Sequence, residues 1–178
     1  WMKIHNLKEA AKTLNYLTEH GISEYDVLAS KAETSAADFE AVSTSIKQME
    51  HRMEQIAALK THIINYAKTR NIYLAYRKTK VADKPAFRAA HETELLLHEA
   101  AKRAFDAQGV KKLPTVKALQ AEYTDLLAKK KAAYEDYKRL RQKNQELQTV
   151  KSNVDSLLQI KQEEKKEQEQ EKKQEQDR

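Results

Sequence analysis

Two glycines and two prolines punctuate 178 residues, and they constrain the fold more than any other feature. Gly and Pro supply most of the backbone conformations that tight turns require, so a chain with so few of them reverses direction rarely. Long helices follow. The bulk of the sequence is Ala, Leu, Lys, Glu and Gln, all strong helix formers, and charged residues make up 34% of it. With three Phe and one Trp, the chain lacks the bulk for a thick core and suits narrow seams between helices. The expected fold is all-α: an elongated antiparallel helical hairpin or bundle of about four helices, with coiled-coil character.

The four breakers mark the boundaries. Ile4, Leu7, Ala11, Leu14 and Leu17 recur at three- and four-residue intervals over 3–19, one face of a first helix, and Gly21 is placed to end it in the left-handed conformation. Ser23, followed by Asp26, is a candidate cap for a second, long helix, whose stripe runs through Phe39, Val42, Ile46, Met49, Met53, Ile56, Ile63 and Ala67. Thr34, Ser35 and Asp38 offer a second start that would split it. Pro85 fits the first turn of a third helix with the stripe Phe87, His91, Leu95, His98, Ala101 and Phe105, ended by Gly109. Pro114 opens the last helix.

From Leu119 a heptad places Leu119, Leu126, Ala133, Leu140, Leu147 and Val154 in one seam position and Tyr123, Lys130, Tyr137, Asn144, Lys151 and Leu158 in the other. The second set mixes polar with apolar groups, so the seam is weaker than a zipper's. Residues 161–178, KQEEKKEQEQEKKQEQDR, hold six bases and seven acids and no apolar residue. The organisation read from this is a helical, coiled-coil-like domain over 3–160 and a charged tail over 161–178, either a solvated helix or disordered. The opening Trp1-Met2 suggests a piece cut from a longer protein.

Several function classes lack their residues. Without Cys there is neither thiolate catalysis nor a Cys-based zinc site. The six histidines form no HExxH motif; His91 and His98 share a helix face with Glu94 between them, but seven residues separate them by roughly 10 Å along a helix axis. Neither glycine opens a phosphate-cradling loop. No catalytic constellation, metal set or cofactor motif is found, and apolar runs are too short to cross a membrane. The expectation is a non-enzymatic cytoplasmic protein that is not inserted in a membrane.

The formal charge of +6 is concentrated. The stretch INYAKTRNIYLAYRKTK, residues 64–80, carries Lys68, Arg70, Arg77, Lys78 and Lys80 with no acid. Residues 111–143 carry ten bases, among them Lys129, Lys130, Lys131, Lys138 and Arg139, against four acids. On a helical wheel Tyr66, Arg70, Tyr73 and Arg77 fall in one narrow sector beside the apolar stripe. Rings that stack bases beside cations that meet phosphates suit single-stranded nucleic acid. Tyrosines beside a core stripe equally suit burial of the ring with the hydroxyl presented outward. Both readings stand, and Tyr66, Arg70, Tyr73, Arg77, Lys129, Lys130, Lys131, Lys138 and Arg139 are the candidate nucleic-acid contacts.

HNLKEAAKTLNYLTEHGI (5–22), IAALKTHIINYAKTRNIYLAYRKTK (56–80) and GVKKLPTVKALQAEYTDLLAKKKAAYEDYK (109–138) resemble the C-terminal region of relaxase/mobilisation nucleases from conjugative and mobilisable elements of Gram-positive bacteria. The resemblance covers most of residues 3–158, and its most specific strings are Asn-Tyr-Ala-Lys-Thr-Arg and Lys-Lys-Leu-Pro-Thr-Val-Lys-Ala-Leu. It implies DNA processing for transfer, in which an N-terminal nuclease domain with a tyrosine nucleophile and a histidine-held metal nicks the transfer origin. No catalytic residue of that domain has a counterpart here. The implied role is a non-catalytic helical domain that contacts DNA or proteins of the transfer machinery; the alternative is a coiled-coil spacer or homodimerisation module with no nucleic-acid role.

Overall fold

The computed structural model describes the backbone of residues 2–107, 109 and 112–176, and the side chains of 7–107, 109 and 112–159. Lys111, counted among the bases, and the side chains of the 161–178 tail lie outside these. The chain is all-helical: α1 (Met2–Glu19), α2 (Tyr25–Lys78), a 3-10 turn (Val81–Asp83), α3 (Lys84–Ala90), α4 (Glu92–Ala107) and α5 (Val116–Gln176). Among the described residues there is no strand, and no helix is long and apolar enough to cross a membrane.

The helix ends show how sequence becomes local structure. Gly21 sits at φ +60°, its N–H on the Thr18 carbonyl and the Ile22 N–H reaching back to the Leu17 carbonyl at 2.9 Å, a Schellman cap completed by packing of Leu17 against Ile22. Gly109, at φ +63°, follows the end of α4 in the same conformation. Pro85 stands in the first turn of α3. Pro114, expected to open the last helix, lies just outside it: Thr115 is the cap, its hydroxyl accepting the Ala118 N–H at 3.1 Å while its carbonyl takes the Leu119 N–H. Ser23 likewise stands one residue too early, because the Glu24 carbonyl accepts the first bond of α2.

The second helix is long, as expected, and the single third helix is corrected. The second helix does not split at Thr34 to Asp38 and runs unbroken for 54 residues. The single third helix is instead two, since His91 leaves the helical region at φ −129°, ψ 34° and α4 restarts with Glu92 and Glu94 in its first turn, where carboxylates favour the positive end of the helix dipole. Among the described residues the α-helices therefore number five, against the about four expected.

The chain divides into two compact units, residues 1–44 with 134–178, and residues 45–133. In the first, Ile22, Leu28, Ala32, Leu147 and Val150 form the core, with Tyr16, Leu17 and Val154 packed on it. α2 and α5 run antiparallel there, as Tyr25 to Asp155, Ala32 to Gln148 and Phe39 to Tyr137 show. Here α1 turns inward a face that shares Leu17 with the predicted stripe but excludes Leu7 and Leu14. Thr13, hydrogen-bonded by Asn153 at 2.9 Å, is buried with Tyr16 and Leu17 beside it, while Leu7 and Leu14 are 73% and 64% exposed.

In the second unit Ile56, Leu59, Ala101, Phe105 and Leu119 form the core, bordered by Ile63, Tyr66, Tyr123 and Leu126. α2 and α5 are again antiparallel, with Glu50 to Lys130 and Lys60 to Gln120 marking the register. The Arg52 guanidinium grips the Glu122 carboxylate with two nitrogens, at 2.7 and 3.1 Å. The α5 heptad holds in both units: Leu119 and Leu147 are buried, Leu126, Ala133, Leu140 and Val154 half-buried.

Candidate nucleic-acid interface

The tyrosine strip of α2 begins with its spacing. Tyr66, Thr69 and Tyr73 lie three and four residues apart and so share one face, and α4 delivers His98 to that face. The imidazole is nearly parallel to both tyrosine rings, with centroids 4.5 Å from Tyr66 and 4.1 Å from Tyr73. Two rings this close cannot occupy the same side of a third without overlapping, so His98 is held between them. Phe105 closes the cluster with an edge-on contact to Tyr66 at 5.7 Å.

Thr69 fixes the histidine's tautomer. Its hydroxyl lies 2.7 Å from the Asn65 carbonyl, which can only accept, so the single hydroxyl proton goes there. The bond at 3.0 Å between Thr69 Oγ1 and His98 Nδ1 is then donated by the imidazole. His98 is 1% exposed. Burial lowers its pKa below the ordinary histidine value, and the Lys102 ammonium lowers it further against a smaller opposing effect of Glu99. The ring is a neutral core group.

Tyr76 is engaged as well. Its ring lies 6.1 Å from Phe87 of α3, with the Lys84 ammonium 5.4 Å from its centroid, and hydrogen bonding to Tyr76 helps raise the Arg88 pKa. All three tyrosines of the 64–80 stretch therefore spend ring surface on α3 and α4, the Lys102 ammonium lying 5.7 Å from the Tyr73 centroid besides. The geometry sets one face of Tyr66 and one of Tyr73 in the bundle wall against His98, both side chains being half-buried. The bases differ. Lys68, Arg70, Arg77, Lys78 and Lys80 are all exposed, and none makes an ion pair among the described residues. Arg70 and Arg77, seven residues apart, project on one side of α2.

The α5 candidates are mostly occupied. In the second unit Lys129 pairs with Asp125 at 2.8 Å and Lys130 with Glu50 at 3.2 Å, leaving Lys131 exposed without an ion pair among the described residues. In the first unit Lys138 pairs with Glu135 at 3.0 Å and Arg139 with Asp136 at 2.9 Å. Three of these four pairs are local to one helix turn, so acids absent from a count of excess charge are at hand for the bases.

His98 and Thr69 were not among the candidate residues, although the apolar stripe containing His98 and the Tyr66–Tyr73 spacing both point to packing. His91 lies against Phe87 at 4.6 Å and 3.9 Å from the Glu94 carboxylate. Among the described residues no group of three or more His, Cys, Asp or Glu is gathered to hold a metal. No family model, curated protein or solved structure matches this chain.

Proposed function

We propose that this chain is a non-catalytic helical module that holds DNA by its phosphate backbone, serving as the C-terminal helical domain of a relaxase during mobilisation in the bacterial cytoplasm. The observation that carries the reading is the set of five exposed cations, Lys68, Arg70, Arg77, Lys78 and Lys80, without ion pairs among the described residues. A cation free of a carboxylate meets a phosphate by releasing counterions alone, whereas Lys129, Lys130, Lys138 and Arg139 must first give up a partner. Such exposed pairs are worth about 0–1 kcal/mol, so those four bases act as a second, weaker tier.

Recognition of this kind is blind to sequence, because phosphates carry no base information and the half-buried rings of Tyr66, Tyr73 and Tyr76 are engaged by α3 and α4. Proteins of the transfer machinery remain partners of the same reading. Its test is binding of single-stranded DNA across a salt series. Five phosphate contacts give a slope of about −3.5 in log K against log salt. Absence of binding at low salt removes the DNA role.

A second reading rests on Leu7 and Leu14, one heptad apart and largely exposed on α1. A homodimerisation module would cover them against a second copy. Sedimentation over a wide concentration range distinguishes the two, since a chain that stays monomeric excludes self-association.

A further inference from the structure

The first unit contains a cavity of about 260 Å³ lined by residues of α1, α2 and α5. Its wall includes Ser35, which is 1% exposed and whose hydroxyl has no hydrogen-bond partner. That is unusual within this helix. Thr34 bonds back to the Ser30 carbonyl at 2.8 Å and Ser43 to the Phe39 carbonyl at 2.7 Å, the ordinary outlet for a hydroxyl in mid-helix. Among the described residues Ser35 Oγ alone is a buried side-chain polar atom left unsatisfied. An orphaned buried donor is costly, and it points to a group that completes it.

The rest of the lining indicates what that group is. Lys31 from α2 and Lys143 from α5 both border the cavity, both are exposed, and neither forms an ion pair among the described residues. Lysines from two different helices thus border one space whose lining includes no Asp or Glu. Tyr16 and Leu147 supply apolar wall, and the His20 ring is stacked on Tyr16 at 4.0 Å with its Nδ1–H spent on the Tyr16 carbonyl. The Tyr16 phenol is a hydroxyl donor, and burial and the nearby Glu146 raise its pKa. Two cations, hydroxyl donors and an aromatic wall in a small volume match an anionic head on a flat apolar body.

We propose that this cavity binds a small aromatic phosphomonoester, with the phosphate held by Lys31, Lys143 and the Ser35 hydroxyl and the ring against Tyr16 and Leu147. The site is independent of the cations at the end of α2. Its ligand is either a free small molecule or the 5′-phosphorylated terminal nucleotide of a DNA strand, which carry the same chemistry.

The test is a calorimetric titration of the full chain with phenyl phosphate, with inorganic phosphate and phenol as comparisons. The expected result is saturable one-site binding of phenyl phosphate, tighter than either comparison, weakened at least tenfold in K31Q/K143Q and unchanged in R70Q/R77Q. Ser35→Ala should weaken binding several-fold while leaving the melting temperature of the ligand-free protein unchanged or higher, since it removes an unsatisfied hydroxyl. Competition by a 5′-phosphorylated oligonucleotide but not its 5′-hydroxyl form identifies a strand end as the source; competition by neither identifies a free molecule. The proposal is overturned by absence of saturable phenyl phosphate binding, by equal affinity for inorganic phosphate, by indifference to K31Q/K143Q, or by a Ser35→Ala protein that melts lower yet binds normally.

Discussion

Thr69 Oγ1 accepts a hydrogen bond from His98 Nδ1 at 3.0 Å, and through it α2 fixes the rotation of an imidazole that two of its own tyrosines enclose. The pair joins α2 to α4. His98→Phe keeps a flat ring between Tyr66 and Tyr73 and strands no donor, because the Thr69 hydroxyl already serves Asn65. Its expected cost is about 0.5–1.5 kcal/mol, the net worth of one hydrogen bond. His98→Ala leaves an empty slot between the rings and should cost about 2–4 kcal/mol. Urea unfolding of both variants checks the order, and equal costs would refute the enclosed ring.

The same histidine makes stability depend on pH. Its folded-state pKa lies below the ordinary value near 6.5, so between the two values the unfolded chain binds more protons and stability rises with pH. Its contribution is complete above the unfolded value and is lost as pH falls from about 6.5 toward the folded value. The groups facing the ring are Tyr66, Thr69, Tyr73, Lys102 and Glu99. Unfolding free energies at pH 7.5 and 5.5 should therefore differ more for the parent protein than for His98→Phe. Parallel pH profiles would contradict this assignment.

Gly21 tests the cap between α1 and α2. A Cβ there meets nothing within 4 Å, so the whole cost of Gly21→Ala comes from holding an L-residue at φ +60°. The expected loss is about 1 kcal/mol, read by thermal unfolding with helix content unchanged.

The legible part of this fold was what single residues dictate. Gly21 and Gly109 mark helix ends because glycine takes a positive φ cheaply, and Pro85 marks a helix start because its fixed φ and missing N–H suit a first turn. The break at His91 gives no such sign, because neither Gly nor Pro stands there. The inward face of α1 differs from the apolar stripe for a related reason: Leu17 packs on the core as the stripe predicts, but Thr13 finds Asn153 and Tyr16 finds the core, which leaves Leu7 and Leu14 outside. At the candidate interface, the charge excess is visible in a count of bases and acids, whereas its pairing depends on helix spacing and register. Asp125, Glu135 and Asp136 stand three or four residues before Lys129, Lys138 and Arg139, a spacing that was open to view. Glu50 lies 80 residues from Lys130, and only the antiparallel register brings them together.

If the tyrosines belong to the wall, their removal affects folding and not DNA affinity. Tyr73→Leu should lower stability by about 1–2 kcal/mol through the loss of one stacked face on His98, while its affinity for single-stranded DNA, measured by fluorescence anisotropy below its melting range, stays within twofold. A base-stacking tyrosine would instead lose about 1–3 kcal/mol of binding.

The most direct measurement of the central claim is the salt dependence of single-stranded DNA binding by the parent chain and by R70Q/R77Q. Loss of two phosphate contacts should reduce affinity on every sequence alike and shrink the slope of log K against log salt by about 1.4, from about −3.5 to about −2.1. Unchanged affinity and slope in R70Q/R77Q, with helix content intact, would contradict the account and return the end of α2 to a purely structural role.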